Sequence, residues 1–190
     1  MKKIILASTS PRRRDILRSA GIKFDVVNPS YDENILNKSF SYELVEKTAA
    51  NKGISAAKTL DINSVVLSAD TVVIYDNIIL GKPKDYDDAI RILKMLSGKT
   101  HKVVTAVCLT DVETGRKIIK SETSEVTFKN LTPEMIKDYV LAFKPYDKAG
   151  AYGIQELSED FVKDIKGDYE NIVGLPSKLV INILKEAGLL

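Results

Sequence analysis

The sequence predicts an α/β fold, with flanking helices packed on a mixed, twisted sheet. Three observations predict it. Short apolar β-type runs alternate with helical spacings through the first half of the chain. Two long β runs joined by a turn follow, at about 102–110 and 117–128, which signals antiparallel pairing rather than another β-α-β unit. The length of 190 residues suits one domain, 1–190, with residues 100–130 as a candidate smaller lobe.

Each element has a local reason. Residues 4–7 read as a short buried strand. Ser10 is placed to cap a helix that Pro11 opens, and Gly21 ends it at about residue 20. Residues 24–27 read as a second strand and 28–34 as a loop. Residues 41–58 have helical spacing, with Leu44, Val45, Thr48, Ala49 and Lys52 near one face. Residues 64–69 form a strand, and extended structure resumes at 71–75. Asp76-Asn77 turns the chain into 78–80. Asp85 caps a helix over 86–96 that Gly98 ends. Residues 111–115 turn the long hairpin. Thr132 caps a helix over 133–143, residues 144–153 read as a Gly-containing loop, 161–165 as a strand, and Pro176 opens a last helix running to about 187.

Composition excludes several function classes. With 28 basic and 26 acidic residues the net charge is +2, which gives no general attraction to nucleic acid or to a membrane surface. Cys108 is the single cysteine, so no intrachain disulfide forms, and a reducing cytoplasm is the expected location. His101 is the single histidine, so one His and one Cys cannot build a zinc site. Seven residues apart in one strand run, the two point to opposite faces, which argues against a Cys–His pair. Residues 4–7 are too short for the apolar core of a signal peptide, and no stretch reaches the 18 apolar residues of a membrane helix.

Four segments carry chemistry. Ser8-Thr9-Ser10-Pro11-Arg12-Arg13-Arg14 places hydroxyls, backbone N–H groups and three guanidinium groups at a strand-to-helix junction. A helix N-terminus favours an anion, and Arg suits phosphate. Three cations in the first turn oppose the helix dipole unless something negative offsets them. Asp70 follows the apolar run 64–69, where an α/β sheet places ligand-binding groups. It could hold a divalent cation, act on a water, or cap a turn. Gly81-Lys82-Pro83 lacks Walker A spacing, but Lys82 could meet a phosphate as a point charge. In residues 147–155, small residues let the backbone approach a ligand, and Tyr152 and Gln155 could stack on or hydrogen-bond a base. The acid pair Asp32-Glu33 and Lys52 are weaker signals.

Together these segments resemble the Maf family of nucleotide pyrophosphatases, in order along nearly the whole chain. The matching pieces are LASTSPRRRDIL at 6–17, Asp32-Glu33, Lys52, SADT at 68–71, LGKP at 80–83, LSGKTH at 96–101, TAV at 105–107, DKAGAYGIQ at 147–155 and VGLP at 173–176. The resemblance implies two lobes around a nucleotide cleft, akin to inosine triphosphate pyrophosphatases. It also implies a divalent metal, magnesium or manganese, a homodimer, and hydrolysis between the α- and β-phosphates of a nucleoside triphosphate. Members are associated with arrest of septum formation and with removal of non-standard nucleotides. Pro11-Arg12-Arg13, Asp70-Thr71 and Gly153-Ile154-Gln155 resemble the subgroup acting on dTTP and UTP rather than the one preferring 7-methyl-GTP. Ser68 stands where the subgroup often has Gly, and Lys144 where it usually has an acid.

That resemblance assigns roles. Arg12 or Arg13, with Lys52 and Lys82, meets the phosphates, and Ser8 adds neutral donors. Asp70 is the general base or a metal ligand, Glu33 is the second acid and metal ligand, and Lys82 counts among the catalytic groups. Arg13, Thr71 and Gln155 select the base, for which a Gln amide offers both a donor and an acceptor. Two other classes use part of the pattern. A nucleotide-binding regulator of cell division needs the cleft without turnover. A nucleic-acid binder would use Arg12 to Arg14, but lacks a longer basic stripe.

Overall fold

The computed structural model describes residues 2–31 and 39–190. The elements run β1 (Lys3–Ala7), α1 (Pro11–Ser19), β2 (Asp25–Val27), α2 (Tyr42–Ala57), β3 (Ser64–Tyr75), β4 (Ile78–Leu80), α3 (Tyr86–Leu96), β5 (Thr100–Asp111), β6 (Lys117–Phe128), α4 (Pro133–Phe143), β7 (Val162–Lys166), α5 (Tyr169–Val173) and α6 (Ser177–Glu186). Two 3-10 turns, Ala149–Ala151 and Ile154–Glu156, lie between α4 and β7. The expected mixed sheet with flanking helices is present. Its order is β2-β1-β3-β5-β6-β7, with β4 attached to β3. β1 runs parallel to β2 and β3; the other pairings are antiparallel.

Side-chain alternation sorts the layers. On one face, Val65, Leu67 and Ala69 of β3 pack with Ile16 and Leu17 of α1 and with Val180, Ile183 and Leu184 of α6. Further along that face, Val73, Val103 and Phe128 pack under α3 and α4. On the opposite face, Val72 and Ile74 meet Val45 and Ala49 of α2. A central strand covered on both sides accounts for the nearly unbroken apolar run of β3.

Caps follow the sequence where a hydroxyl or carboxylate precedes a helix. Ser41, Asp85 and Thr132 accept from the backbone N–H of Leu44, Asp88 and Met135. Ser10 occupies the N-cap position of α1 without a side-chain cap bond; its own N–H donates to Ser8 Oγ at 3.1 Å. Three expectations are corrected. β3 runs unbroken through Asp70, because β5 pairs with it from Val65 to Ile74. Residues 144–153 are not plain loop but carry the first 3-10 turn, and α5 is an unanticipated short helix capped by Asp168. His101 and Cys108 do face opposite ways on β5. His101 meets the rings of Phe128 and Tyr152, while Cys108 lies in the α2 layer, where burial pushes its thiol pKa up.

Candidate active site

The site forms where β3 changes edge partners. On that edge β3 pairs with β1 through Ala7↔Ser68 and with β4 from Val73↔Leu80. Between them Ala69, Asp70, Thr71 and Val72 face no strand on that edge among the described residues. Asp70 therefore sits mid-strand, not at a strand end, yet two residues beyond the parallel segment. The carboxyl end of a parallel sheet is where α/β folds open crevices. A cleft of about 500 Å³ opens there. The segment from Ala7 to Arg13 lines one side, and Lys82 and residues 147–156 line another.

α2 supplies a buried cation to this gap. Val45, Thr48, Ala49, Lys52 and Ala56 share its inner face at helical spacing, and all are buried. Lys52 Nζ lies 2.7 Å from Asp70 Oδ1, with the two side chains 8% and 4% exposed. α2 approaches closely because Gly53 faces β3. A Cβ there would come within 2.7 Å of Ser68 Oγ, whose hydroxyl donates to Ala49 O at 2.7 Å. Asp70 Oδ2 is buried and has no hydrogen-bond partner among the described residues. A buried carboxylate oxygen without a donor is costly in an inert core, and such groups mark functional sites.

α1 directs its N-terminal end at the same cleft, with Ser8, Ser10, Arg12 and Arg13 in the lining. No acid lies in its first turn. Arg13 is offset instead by oxygens of distant segments: its guanidinium donates to Ala69 O at 2.8 Å, to Gly174 O at 2.8 Å and to Thr71 Oγ1 at 3.0 Å. Thr71 Oγ1 also lies 2.9 Å from Thr105 Oγ1, which donates to Asn171 O. Arg13 and Thr71 thus join α1, β3 and the end of α5. Arg12 lies 3.5 Å from Asp147 Oδ2. Burial raises the Asp147 pKa, but the Lys148 hydrogen bond and the charges of Lys148 and Arg12 outweigh it and leave the carboxyl below its ordinary value.

The far wall carries groups that the sequence reading gave no role. Lys148 is buried, and its Nζ lies 2.9 Å from Asp147 Oδ1 and 3.1 Å from Glu156 Oε1. Gly150 has φ +70°, and a Cβ there would strike Val73 at 2.9 Å, so this turn requires glycine. Gln155 is exposed in the second 3-10 turn and lines the cleft. Lys82 is exposed on the loop after β4, also in the lining. The structure therefore gathers Ser8, Arg12, Arg13, Lys52, Asp70, Thr71, Lys82 and Gln155 around one cleft. Glu33 lies outside the described residues. The missed groups in this lining are Lys148 and Glu156; the alternation of charge with small residues at 147–156 was their only local signal.

A divalent cation fits this donor set. Asp70 Oδ2 is a hard oxygen left unpaired in the cleft wall. No group of three His, Cys, Asp or Glu side chains that could hold a metal occurs among the described residues. A cation here would depend on one or two carboxylates together with substrate phosphates and water, the usual arrangement for magnesium.

The Maf-like protein family model matches residues 3–187. The dTTP/UTP pyrophosphatase of Thermosipho africanus (strain TCF52B) is 48% identical over 188 residues, covering 99% of this chain and 95% of that protein. The dTTP/UTP pyrophosphatase of Alkaliphilus oremlandii (strain OhILAs) is 44% identical over 176 residues, covering 93% and 91%. Among solved structures, the Staphylococcus aureus Ham1 protein aligns with a TM-score of 0.51 at 16% identity, over 98% of this chain and 97% of that one, a likeness of fold alone. With the family model spanning nearly its whole length and full-length relatives at these identities, this chain belongs to the Maf family.

Proposed function

We propose that the protein hydrolyses pyrimidine nucleoside triphosphates, dTTP and UTP, to the monophosphate and pyrophosphate. The observation that carries this reading is the Asp70 carboxylate, held at Oδ1 by buried Lys52 and left with a free oxygen in a cleft lined by cations. The full-length relatives named dTTP/UTP pyrophosphatase support the substrate class.

The chemistry follows from charge and geometry. A triphosphate brings about four negative charges, which the N-terminal end of α1, Arg12, Lys52 and Lys82 are placed to meet. Water attacks the α-phosphorus, the bond to the bridging oxygen breaks, and pyrophosphate leaves. Asp70 Oδ2 takes the proton from that water, while Lys52 fixes the carboxylate through Oδ1. In the alternative role, Asp70 together with Glu33 would hold a magnesium or manganese ion, which would supply further charge neutralisation and acidify nearby water. Thr71, set by Arg13, and Gln155 from the far wall face the base.

The test is pyrophosphate release from dTTP, UTP, CTP, 7-methyl-GTP and modified pyrimidine triphosphates with magnesium. dTTP and UTP should give the highest kcat/KM. Fastest turnover of 7-methyl-GTP overturns the pyrimidine assignment, and no release from any triphosphate overturns the enzymatic one.

A further inference from the structure

The wall that carries Gln155 is held by a residue that does not itself line the cleft. Tyr139 lies on α4, 4% exposed, packed against the rings of Phe143 and Phe161 at 5.0 and 5.4 Å. Its hydroxyl accepts the Gly153 N–H at 2.9 Å and donates to Glu156 Oε2 at 2.9 Å. Gly153 precedes the turn Ile154–Glu156 and Glu156 is its last residue, so the two bracket Gln155. The side chains of Glu156 and Lys148 close over Gly153, where a Cβ would lie 2.9 Å from Glu156 Oε2 and 3.0 Å from Lys148 Cε. The second oxygen of Glu156 meets buried Lys148, which continues through Asp147 to Arg12 on α1.

We propose that Tyr139 is a specificity-determining positioning residue: its hydroxyl fixes both ends of the turn bearing Gln155, and so sets how that amide meets the base. The inference rests on the reading of the cleft as a nucleotide site. Burial, reinforced by the Glu156 charge, pushes the Tyr139 phenol above its ordinary value, so it keeps the proton it donates. A single hydroxyl satisfies one backbone donor and one carboxylate, and both lose their partner together if it is removed. Tyr139 does not line the cleft; it acts through Gln155.

The experiment measures kcat and KM for dTTP and CTP in Tyr139→Phe, Gln155→Ala, the double variant and Glu156→Ala, each beside a thermal melt. Tyr139→Phe keeps the ring contacts and should lower the dTTP/CTP ratio of kcat/KM roughly threefold to tenfold, the range for the net loss of about one hydrogen bond. The loss should fall on KM for dTTP more than on kcat. The double variant should show no lower ratio than Gln155→Ala alone, because both changes act on one contact. Glu156→Ala should reproduce the drop, and it decides the matter if Tyr139→Phe does not fold. An unchanged ratio in a folded variant, equal losses on both substrates, or additive losses in the double variant would overturn the proposal. If Gln155→Ala itself leaves the ratio unchanged, the base-reading role of Gln155 fails, and the proposal fails with it, in an arm that does not involve Tyr139.

Discussion

Lys52 Nζ lies 2.7 Å from Asp70 Oδ1, and neither side chain is more than 8% exposed. A buried ion pair recovers little beyond the cost of removing two charges from water. This one also leaves Asp70 Oδ2 without a donor. Stability does not explain that arrangement, since an apolar pair of similar volume would serve the core as well. A carboxylate anchored at one oxygen and unpaired at the other among the described residues does explain it, as a group that takes a proton or holds a cation.

The approach of α2 to β3 that delivers Lys52 depends on Gly53. In Gly53→Ala the new methyl meets Ser68 Oγ, so the helix shifts or Ser68 gives up its bond to Ala49 O. We expect a loss of about 1–3 kcal/mol, the usual cost of overpacking, and a drop in kcat as Lys52 moves off Asp70. Ser68→Gly in the same background should recover much of the melting temperature. Urea melts of the single and double variants check this, and an unperturbed Gly53→Ala would show that the contact relaxes freely.

Arg13 is a fork that a lysine cannot replace. Three of its bonds reach Ala69 O, Gly174 O and Thr71 Oγ1, and an ammonium on a flexible stem cannot span them at once. Arg13→Lys should cost about 1–3 kcal/mol of stability through the carbonyls left unpaired. It should also lower kcat/KM for dTTP at least about tenfold by releasing Thr71 and the 174 carbonyl. Parental kinetics in Arg13→Lys would show that charge alone matters there.

His101 makes the fold acid-sensitive. It is 2% exposed, Nε2 lies 2.7 Å from Tyr152 OH, and burial lowers its pKa from 6.5 to about 4. The unfolded chain therefore binds a proton that the folded chain refuses between those two values. Stability is unaffected by this group above about pH 6.5, declines as pH falls through the window, and is lost by about 3 kcal/mol below pH 4. Denaturant melts from pH 7.5 to 4 should show the decline, and His101→Gln should flatten it. The same slope in the variant would assign the decline to other groups.

Much of this site is local in the sequence. The 3.6-residue spacing of 42–57 alone places Lys52 on the buried face, and Ser41 fixes where that helix begins. The hairpin of β5 and β6 follows from alternation and one turn. What was illegible depends on partners far along the chain. The oxygens seen to hold Arg13 come from positions 56, 58 and 161 residues away. The continuity of β3 through Asp70 comes from β5, which no local pattern announces. Five residues are too few for α5 to show a period, so the position of Gly174 stayed hidden. Tyr139 reads as one more apolar position of an amphipathic helix until its hydroxyl is seen on Gly153 and Glu156.

The most direct test of the account is kcat for pyrophosphate release from dTTP by Asp70→Asn, measured beside its melt. The substitution keeps size but leaves Lys52 facing a neutral amide in a mid-strand, buried position. A melting temperature roughly 3–10 °C lower is expected, with the variant still folded at assay temperature. The account predicts a kcat reduced by roughly 10²–10⁴, the contribution of a positioned acid–base group, in protein shown to be folded. A folded Asp70→Asn variant that keeps near-parental kcat would contradict it.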